Sequence, residues 1–289
     1  MIYINKLFFN LLGILSLLPL KVLYVLSKII FLIIYYIIRY RRNIVYNNME
    51  NAFPNKNKQE ITVLAKKYYQ NFCDVLIEIV KMISISKKTI NKRFKYENLE
   101  VLEKYINQKK TIILCLGHYC NWEWGLLSIS SKLPCNVLGV YKKIKNKYLD
   151  QKTLDIRSKF GAQLSNMANC LKNIEQQNNQ ANIICLITDQ SPSNPETSCW
   201  HYFLNQETAI MTGVEKISKK YNYPVIFANI NQAKKGYYKV YFTEISNKPK
   251  ETNKFEITKE HTKYLEKQIL QNPTFWLWSH KRWKHKKIK

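Results

Sequence analysis

The segment GHYCNWEWG, residues 117–125, brings an imidazole, a thiol, an amide and a carboxylate together in a 289-residue chain with only seven glycines and five histidines. His118 stands directly behind a continuous apolar run at 111–116, and Glu123 follows five positions later. Gly117 permits a turn after the run. Asn121 is a good N-cap residue, which puts Glu123 in the first turn of the next helix, where the dipole favours its ionised form. A carboxylate held against an imidazole fixes its tautomer and stabilises the imidazolium, so the histidine can take a proton from a hydroxyl. The pattern predicts a general-base dyad, His118 with Glu123, that activates a hydroxyl directly. Cys120 is the alternative nucleophile in the same turn. The spacing alone fits equally a histidine satisfied by backbone groups and a glutamate at an ordinary helix start.

Such a dyad needs a rigid rim to project from. Short continuous apolar runs at 111–117, 136–142, 182–189 and 224–230 predict strands buried on both faces. Helical stretches at 122–131, 149–160, 168–177 and 209–221 lie between or behind them. Before them, residues 60–83 carry Ile61, Leu64, Tyr68, Phe72, Val75, Ile79 and Ile83 at steps of three and four, an amphipathic helix entered through the loop AFPNKNKQE. Alternation of strand and helix predicts an α/β fold with a mostly parallel central sheet flanked by helices. In such sheets ligands bind beyond the carboxyl ends of the strands, where His118 would emerge. Residues 237–245 alternate and are expected to form an antiparallel edge. A late helix, KEHTKYLEKQILQ, precedes the aromatic and basic tail NPTFWLWSHKRWKHKKIK. No internal repeat is visible.

The N-terminus is of another kind. Residues 7–38 are almost all apolar, interrupted by Asn10, Pro19, Lys21 and Lys28 and closed by Arg39, Arg41 and Arg42. The stretch is too long for a cleavable signal and lacks a small-residue cleavage site. A straight span would carry lysine into hydrocarbon at about 2.5–3.5 kcal/mol each near the centre, so a bent or partly embedded anchor is favoured, with the bend at Pro19. A buried core helix is the competing reading. The basic cluster suits anionic headgroups. We therefore expect a hydrophobic membrane anchor with a basic flank at 1–43 and an α/β domain at 44–289.

The formal charge of +26 invites a nucleic-acid reading, but the excess is almost all lysine and no arginine-rich stripe or zinc-finger spacing is present. The seven scattered cysteines read as buried reduced thiols, not as a disulfide framework or a metal site.

The segments YRRNIVYNNMENAFP, GHYCNWEWG, YKKIKNKYLDQKTLDIRSKFGAQL, LITDQSP and FWLWSHKRWK, in that order behind an apolar N-terminus, resemble the bacterial lipid A biosynthesis acyltransferase family, the late or secondary acyltransferases. The resemblance runs over nearly the whole chain. It implies a glycerolipid-acyltransferase-like fold and an enzyme at the cytoplasmic face of the inner membrane. That enzyme would move a fatty acyl group from an acyl carrier protein thioester to a hydroxyl of a phosphorylated glycolipid, with no metal or cofactor. It implies that His118 is the catalytic histidine, Glu123 its acidic partner and Arg157 a cationic donor near the reacting carbonyl, where a tetrahedral intermediate places negative charge. It further implies that Asp189 and Gln190 hold the pocket or the acceptor, as do Asn121 and Trp122 in the motif itself. The family's usual glycine is replaced by Cys120 after the histidine motif's aromatic and by Asn205 near HYFLNQ. Its basic position in YKKIKN is Lys142 or Lys143, point charges without the fork of arginine. An apolar channel is expected beside the site, lined by Trp122 and by Tyr119 and Trp124, although helix-to-sheet packing explains Trp124 equally well.

Two alternatives stay open at this level. One is the same chemistry with a coenzyme A donor and a lysophospholipid, phosphatidylinositol mannoside or amino-acid lipid as acceptor. The other is a non-catalytic, membrane-tethered basic protein that binds nucleic acid or anionic lipid, with Trp283 and its flanking cations at the interface.

Overall fold

The computed structural model describes residues 2–176 and 182–287. The chain runs α1 (Ile2–Leu17), α2 (Leu20–Leu32), a π-helical turn at Ile33–Ile37, α3 (Arg42–Ala52), α4 (Lys58–Lys81), α5 (Lys87–Arg93), β1 (Phe94–Tyr96), α6 (Glu100–Ile106) and β2 (Ile112–Leu116). It continues with α7 (Trp122–Lys132), β3 (Asn136–Tyr141), α8 (Lys147–Arg157), β4 (Gln163–Asn166), α9 (Cys170–Gln176), β5 (Asn182–Ile187), β6 (Cys199–Phe203) and β7 (Gln206–Ile210). Last come α10 (Gly213–Tyr221), β8 (Val225–Lys234), β9 (Tyr237–Ser246) and α11 (Glu256–Gln271).

The main sheet has the order β1-β9-β8-β2-β5-β3-β4, with every neighbouring pair parallel except β8 and β9. This is the expected α/β architecture. The apolar runs of β2 and β5 lie at its centre and are buried almost throughout, as strands covered on both faces must be. Three expectations are corrected. β9 is antiparallel to β8 but is not an edge, because β1 pairs along its other side. The helix expected from 209 begins at Gly213, since Ala209 and Ile210 pair with Trp200 and Cys199 in a separate hairpin. The helix expected at 168–177 starts at Cys170, and Gln177 lies outside the described residues.

The hairpin turn explains one sequence departure. Leu204 and Asn205 have φ of 51° and 61°, the left-handed region where glycine is cheapest and asparagine is the best-tolerated substitute. The Asn205 amide also donates to the Ala52 carbonyl at 3.0 Å.

Pro19 divides the apolar N-terminus as expected, and α2 packs along α4. The stretch Leu20–Ile37 is long and apolar enough to cross a bilayer by length and composition, and only 22% of it is buried. Its outward face is a candidate membrane anchor. Its inward face is part of the protein: Leu20, Leu23, Phe31 and Tyr35 belong to the same core cluster as β2 and the tail. The expected division at residue 43 thus falls between segments that share one core. Polar contacts reinforce the join. Ser27 donates to Asp74, Lys81 donates to the Ser16 carbonyl at 2.7 Å, and Tyr24 donates to Glu78.

Glu78 is fully buried, and its carboxyl group also accepts from Tyr238 and Asn121 at 2.6 Å each. Burial raises its pKa, against those donors, which favour the anion. One carboxyl group therefore ties α2, α4, β9 and the turn before α7 together. Burying the four side chains of α2 and its extension contributes roughly 6 to 12 kcal/mol between them, comparable to the whole stability of a typical domain, about 5–15 kcal/mol. Deletion of residues 1–40 is accordingly expected to give aggregated protein with no cooperative melting transition. A truncated chain that stays monomeric and melts like the full-length protein would show that α2 is dispensable to the fold.

The aromatic tail is also structural. Trp276 and Trp278 are among the largest fully buried side chains, and the Asn48 amide donates to the carbonyls of Trp278 and His280 at 2.8 and 3.0 Å. Trp283 donates to Thr208 at 2.7 Å. The aromatic side chains of this tail are packed into or against the core, whereas Lys281, Lys284 and Lys286 around Trp283 stay exposed.

Candidate active site

β2 ends at Leu116, and Gly117 follows with no room for a side chain: a Cβ there would lie 2.6 Å from Leu265 Cδ1 and 3.3 Å from Asp189 Oδ2. The glycine allows this close approach without displacing the Leu265 methyl groups, and the end of β5 grips the turn. Asp189 Oδ2 accepts from the His118 backbone N–H at 2.8 Å, and Oδ1 meets His118 Nδ1 at 2.6 Å. The indole of Trp276 donates to Oδ2 at 2.8 Å. Burial alone would raise this carboxyl, but the charge and hydrogen bonds of His118 together with Trp276 hold it down to about 2. Because an ionised carboxylate can only accept, Nδ1 carries the proton and Nε2 presents a lone pair. The His118 side chain keeps 17% of its surface exposed while Asp189 keeps 3%, so the base is reachable and its partner is not. The Gln190 amide reaches Nε2 at 3.4 Å, and the Trp122 ring stands edge-on to the imidazole at 5.0 Å.

The expected pairing of His118 with Glu123 is corrected. Glu123 does begin α7, with Asn121 as N-cap accepting from Trp124 N–H at 2.8 Å. Its carboxylate, however, is occupied by Arg157 at the end of α8. Arg157 Nε donates to Oε2 at 2.8 Å and Nη2 donates to Oε1. Burial works against the guanidinium charge, and the Glu123 contact more than offsets it, raising its pKa. Helical geometry is the reason: an N1–N2 position projects back over the start of the helix toward α8, while the ring of His118 turns toward the next strand end.

Asn121 is also reassigned. It has no exposed surface, and its amide is divided between capping α7 and donating to Glu78, so it holds the turn from behind. Tyr119 and Trp124 are buried and bond to the Asn272 and Glu78 carbonyls at 2.7 and 2.9 Å. Neither lines the cavity, whereas Trp122 does. Cys120 sits in the left-handed region at φ 52°, where glycine is cheapest; its thiol is buried, and burial pushes its pKa well above the ordinary value. It is unsuited to nucleophilic attack.

A cavity of about 790 Å³ opens at His118, Trp122, Glu123, Arg157 and Gln190, within the size range of small-molecule sites. Lys142 is at its rim, and Lys143 is exposed outside it. Inward, the cavity passes between α7 and one face of the sheet. Its walls there are apolar, formed by Phe94, Leu114, Leu126, Ile129, Ile230 and Phe242 among others. The arrangement can deprotonate a hydroxyl at Nε2 while a long apolar group lies under α7.

Trp276 and His280 are contributors that motif spacing did not single out, because both sit in the aromatic and basic tail, far along the chain from His118. Burial lowers the His280 pKa to about 4, and the neutral ring accepts from Ser191 N–H at 3.0 Å, fixing the segment behind Gln190. Among the described residues no group of acidic, histidine or cysteine side chains could hold a metal ion.

The sequence profile of the family described as bacterial lipid A biosynthesis acyltransferase matches residues 1–285. Among curated proteins, none matches the chain.

Proposed function

Since the chain belongs to the bacterial lipid A biosynthesis acyltransferase family, we propose that it transfers a fatty acyl chain from an acyl carrier protein thioester to a hydroxyl of a lipid A precursor. The transfer takes place at the cytoplasmic face of the inner membrane, with His118 as general base. The observation that carries this reading is the His118 imidazole, held through Nδ1 by Asp189 at 2.6 Å with Nε2 on the other side of the ring, at the mouth of a cavity whose interior is apolar.

In this mechanism the acceptor hydroxyl gives its proton to Nε2 as its oxygen attacks the thioester carbonyl. Asp189 stabilises the imidazolium that forms. The carbonyl oxygen becomes negative, and Arg157 lies on the same cavity wall to meet it. A guanidinium has five N–H donors, and Glu123 occupies only one on Nε and one on Nη2. The others remain for an oxyanion, in an orientation that Glu123 fixes beforehand. Collapse of the intermediate expels the thiolate, which takes the proton back from the imidazolium. Two carboxylates thus serve two cations, one of them transient. The surplus of lysine at the surface favours encounter with an acidic carrier and a phosphorylated acceptor.

The test is mass spectrometry of lipid products after the purified protein is incubated with acyl carrier proteins loaded with different chains. A product heavier by one acyl group is expected, and its absence for every donor and precursor would overturn the reading. The same assay probes chain selection. Gly125 faces the cavity, and a Cβ there would lie 3.4 Å from Ile230 Cδ1 and 3.6 Å from Phe94 Cζ. Gly125→Leu is expected to fill the inner end and shift transfer to shorter chains, at about tenfold or more per excluded methylene. An unchanged chain distribution would place the acyl group elsewhere.

A further inference from the structure

A second cavity, of about 320 Å³, adjoins the first, and Trp122 and Gln190 line both. One wall is the face of α4 that carries Phe72, Val75, Leu76 and Ile79, opposed by Phe275 and Trp276. Its far end is closed by Tyr40, whose ring stacks on Phe72 at 6.2 Å, and by Arg41. Arg41 in turn lines an open basin with Arg39 and Arg42. Among the described residues none of these three arginines is ion-paired with a carboxylate. Two of them are already fixed in place: Arg41 donates to the Ser279 carbonyl at 3.0 Å, and Arg42 lies over the Tyr35 ring at 4.5 Å. The neighbouring Tyr36, Ile37 and Ile38 are exposed, so the apolar outward face of the anchor ends beside the same end of the groove as the three arginines.

The order of chemistry is therefore cations, apolar groove, base. It matches an amphiphile with a phosphate, a hydrocarbon chain and a hydroxyl in that order. The larger cavity has a different lining: an apolar interior, with the exposed lysines 142, 216 and 220 among its other lining residues, the last of them paired with Glu175 at 3.0 Å. Lysines are point charges suited to an acidic carrier surface, whereas the forks of arginine match phosphate oxygens.

We infer that the smaller groove is the acceptor site. It takes a phosphorylated lipid with its phosphate on Arg39, Arg41 and Arg42 and one acyl chain along α4, and leaves the larger cavity to the donor chain. The inference rests on the acyl-transfer reading of His118 for the word acceptor, but its test needs no turnover. Equilibrium binding is measured with the full-length protein in nonionic detergent, with no donor present, using a phosphorylated lipid A precursor and the same lipid after phosphatase treatment.

The wild-type protein is expected to bind the phosphorylated lipid about tenfold more tightly or better. Arg39→Glu, at an exposed side chain, removes most of that difference and leaves the affinity for the dephosphorylated lipid unchanged. Leu76→Trp, which fills the groove, weakens both lipids alike. Equal binding of the two lipids by the wild-type protein, or an equal loss for both in Arg39→Glu, overturns the assignment. So does competition by inorganic phosphate at the concentration of the lipid itself, which would reduce the basin to a free-anion site. Phosphate-dependent binding without any acyl transfer would sink the functional reading and leave the groove standing; transfer without phosphate dependence would do the reverse.

Discussion

Asp189→Asn is expected to lower turnover about 10²–10⁴-fold, close to the loss expected for His118→Ala, with little change in the fold. The reason is the proton inventory of one hydrogen bond. In the native site the carboxylate accepts from the His118 backbone N–H, from Trp276 and from Nδ1. An asparagine can keep the first two through its carbonyl oxygen, and its NH₂ group then faces the ring. Nδ1 must become the acceptor, the proton moves to Nε2, and the lone pair no longer points into the cavity. The imidazole is present but in the wrong tautomer. Nitrogen NMR of the labelled histidine distinguishes this from a collapsed site, because the two tautomers differ at both ring nitrogens. Wild-type turnover by the Asp189→Asn protein would return the orienting role to another carboxylate.

The same contact has a signature in stability. Asp189 is held at about 2, below the ordinary carboxylate value of 3.8. Its anion therefore stabilises the folded state at every pH above the ordinary range, and the contribution is lost as pH falls from about 4 toward 2. A shift of this size is worth about 2 kcal/mol. Denaturant melts of the native protein are expected to weaken across that window, and those of Asp189→Asn to be flatter there.

Much of this architecture is legible from residue pattern alone, and the reasons for the exceptions are physical. The runs that become β2, β3, β5 and β8 are continuous and apolar because they are covered on both faces, and the break at Pro19 follows from its missing donor. β1 and β4 are short edge strands of ordinary composition, so periodicity has nothing to register. The β6–β7 hairpin hides its turn because Leu204 and Asn205 occupy positions where glycine would have announced it. Within the site, His118, Glu123 and Arg157 do come together on one cavity, but the pairing differs from the expected one. Sequence spacing brings Glu123 near His118 along the chain, whereas tertiary contact brings Asp189 to His118 across 71 positions and Arg157 to Glu123 across 34. Glu78 shows the same limit: a carboxylate on the buried face of an amphipathic helix looks like an error of pattern until three donors from distant segments are seen around it.

The corrected pairing makes the second large effect a coupled one. Arg157→Ala is expected to lower kcat about 10²–10³-fold, the usual loss for one donor to a developing oxyanion, with the donor KM little changed because the charge appears only in the transition state. Arg157→Lys should recover only part of this, since an ammonium keeps the charge but cannot hold two oxygens of Glu123 and face the cavity in a fixed plane. Glu123→Gln should lose most of the same activity without touching His118, because the guanidinium is then free to leave the wall. If the two residues act as one device, the double substitution costs hardly more than Arg157→Ala alone, and the cycle is strongly non-additive. Additive losses would mean that Glu123 works through some other group. A tautomer change at His118 in the Glu123→Gln protein would identify that group as the imidazole.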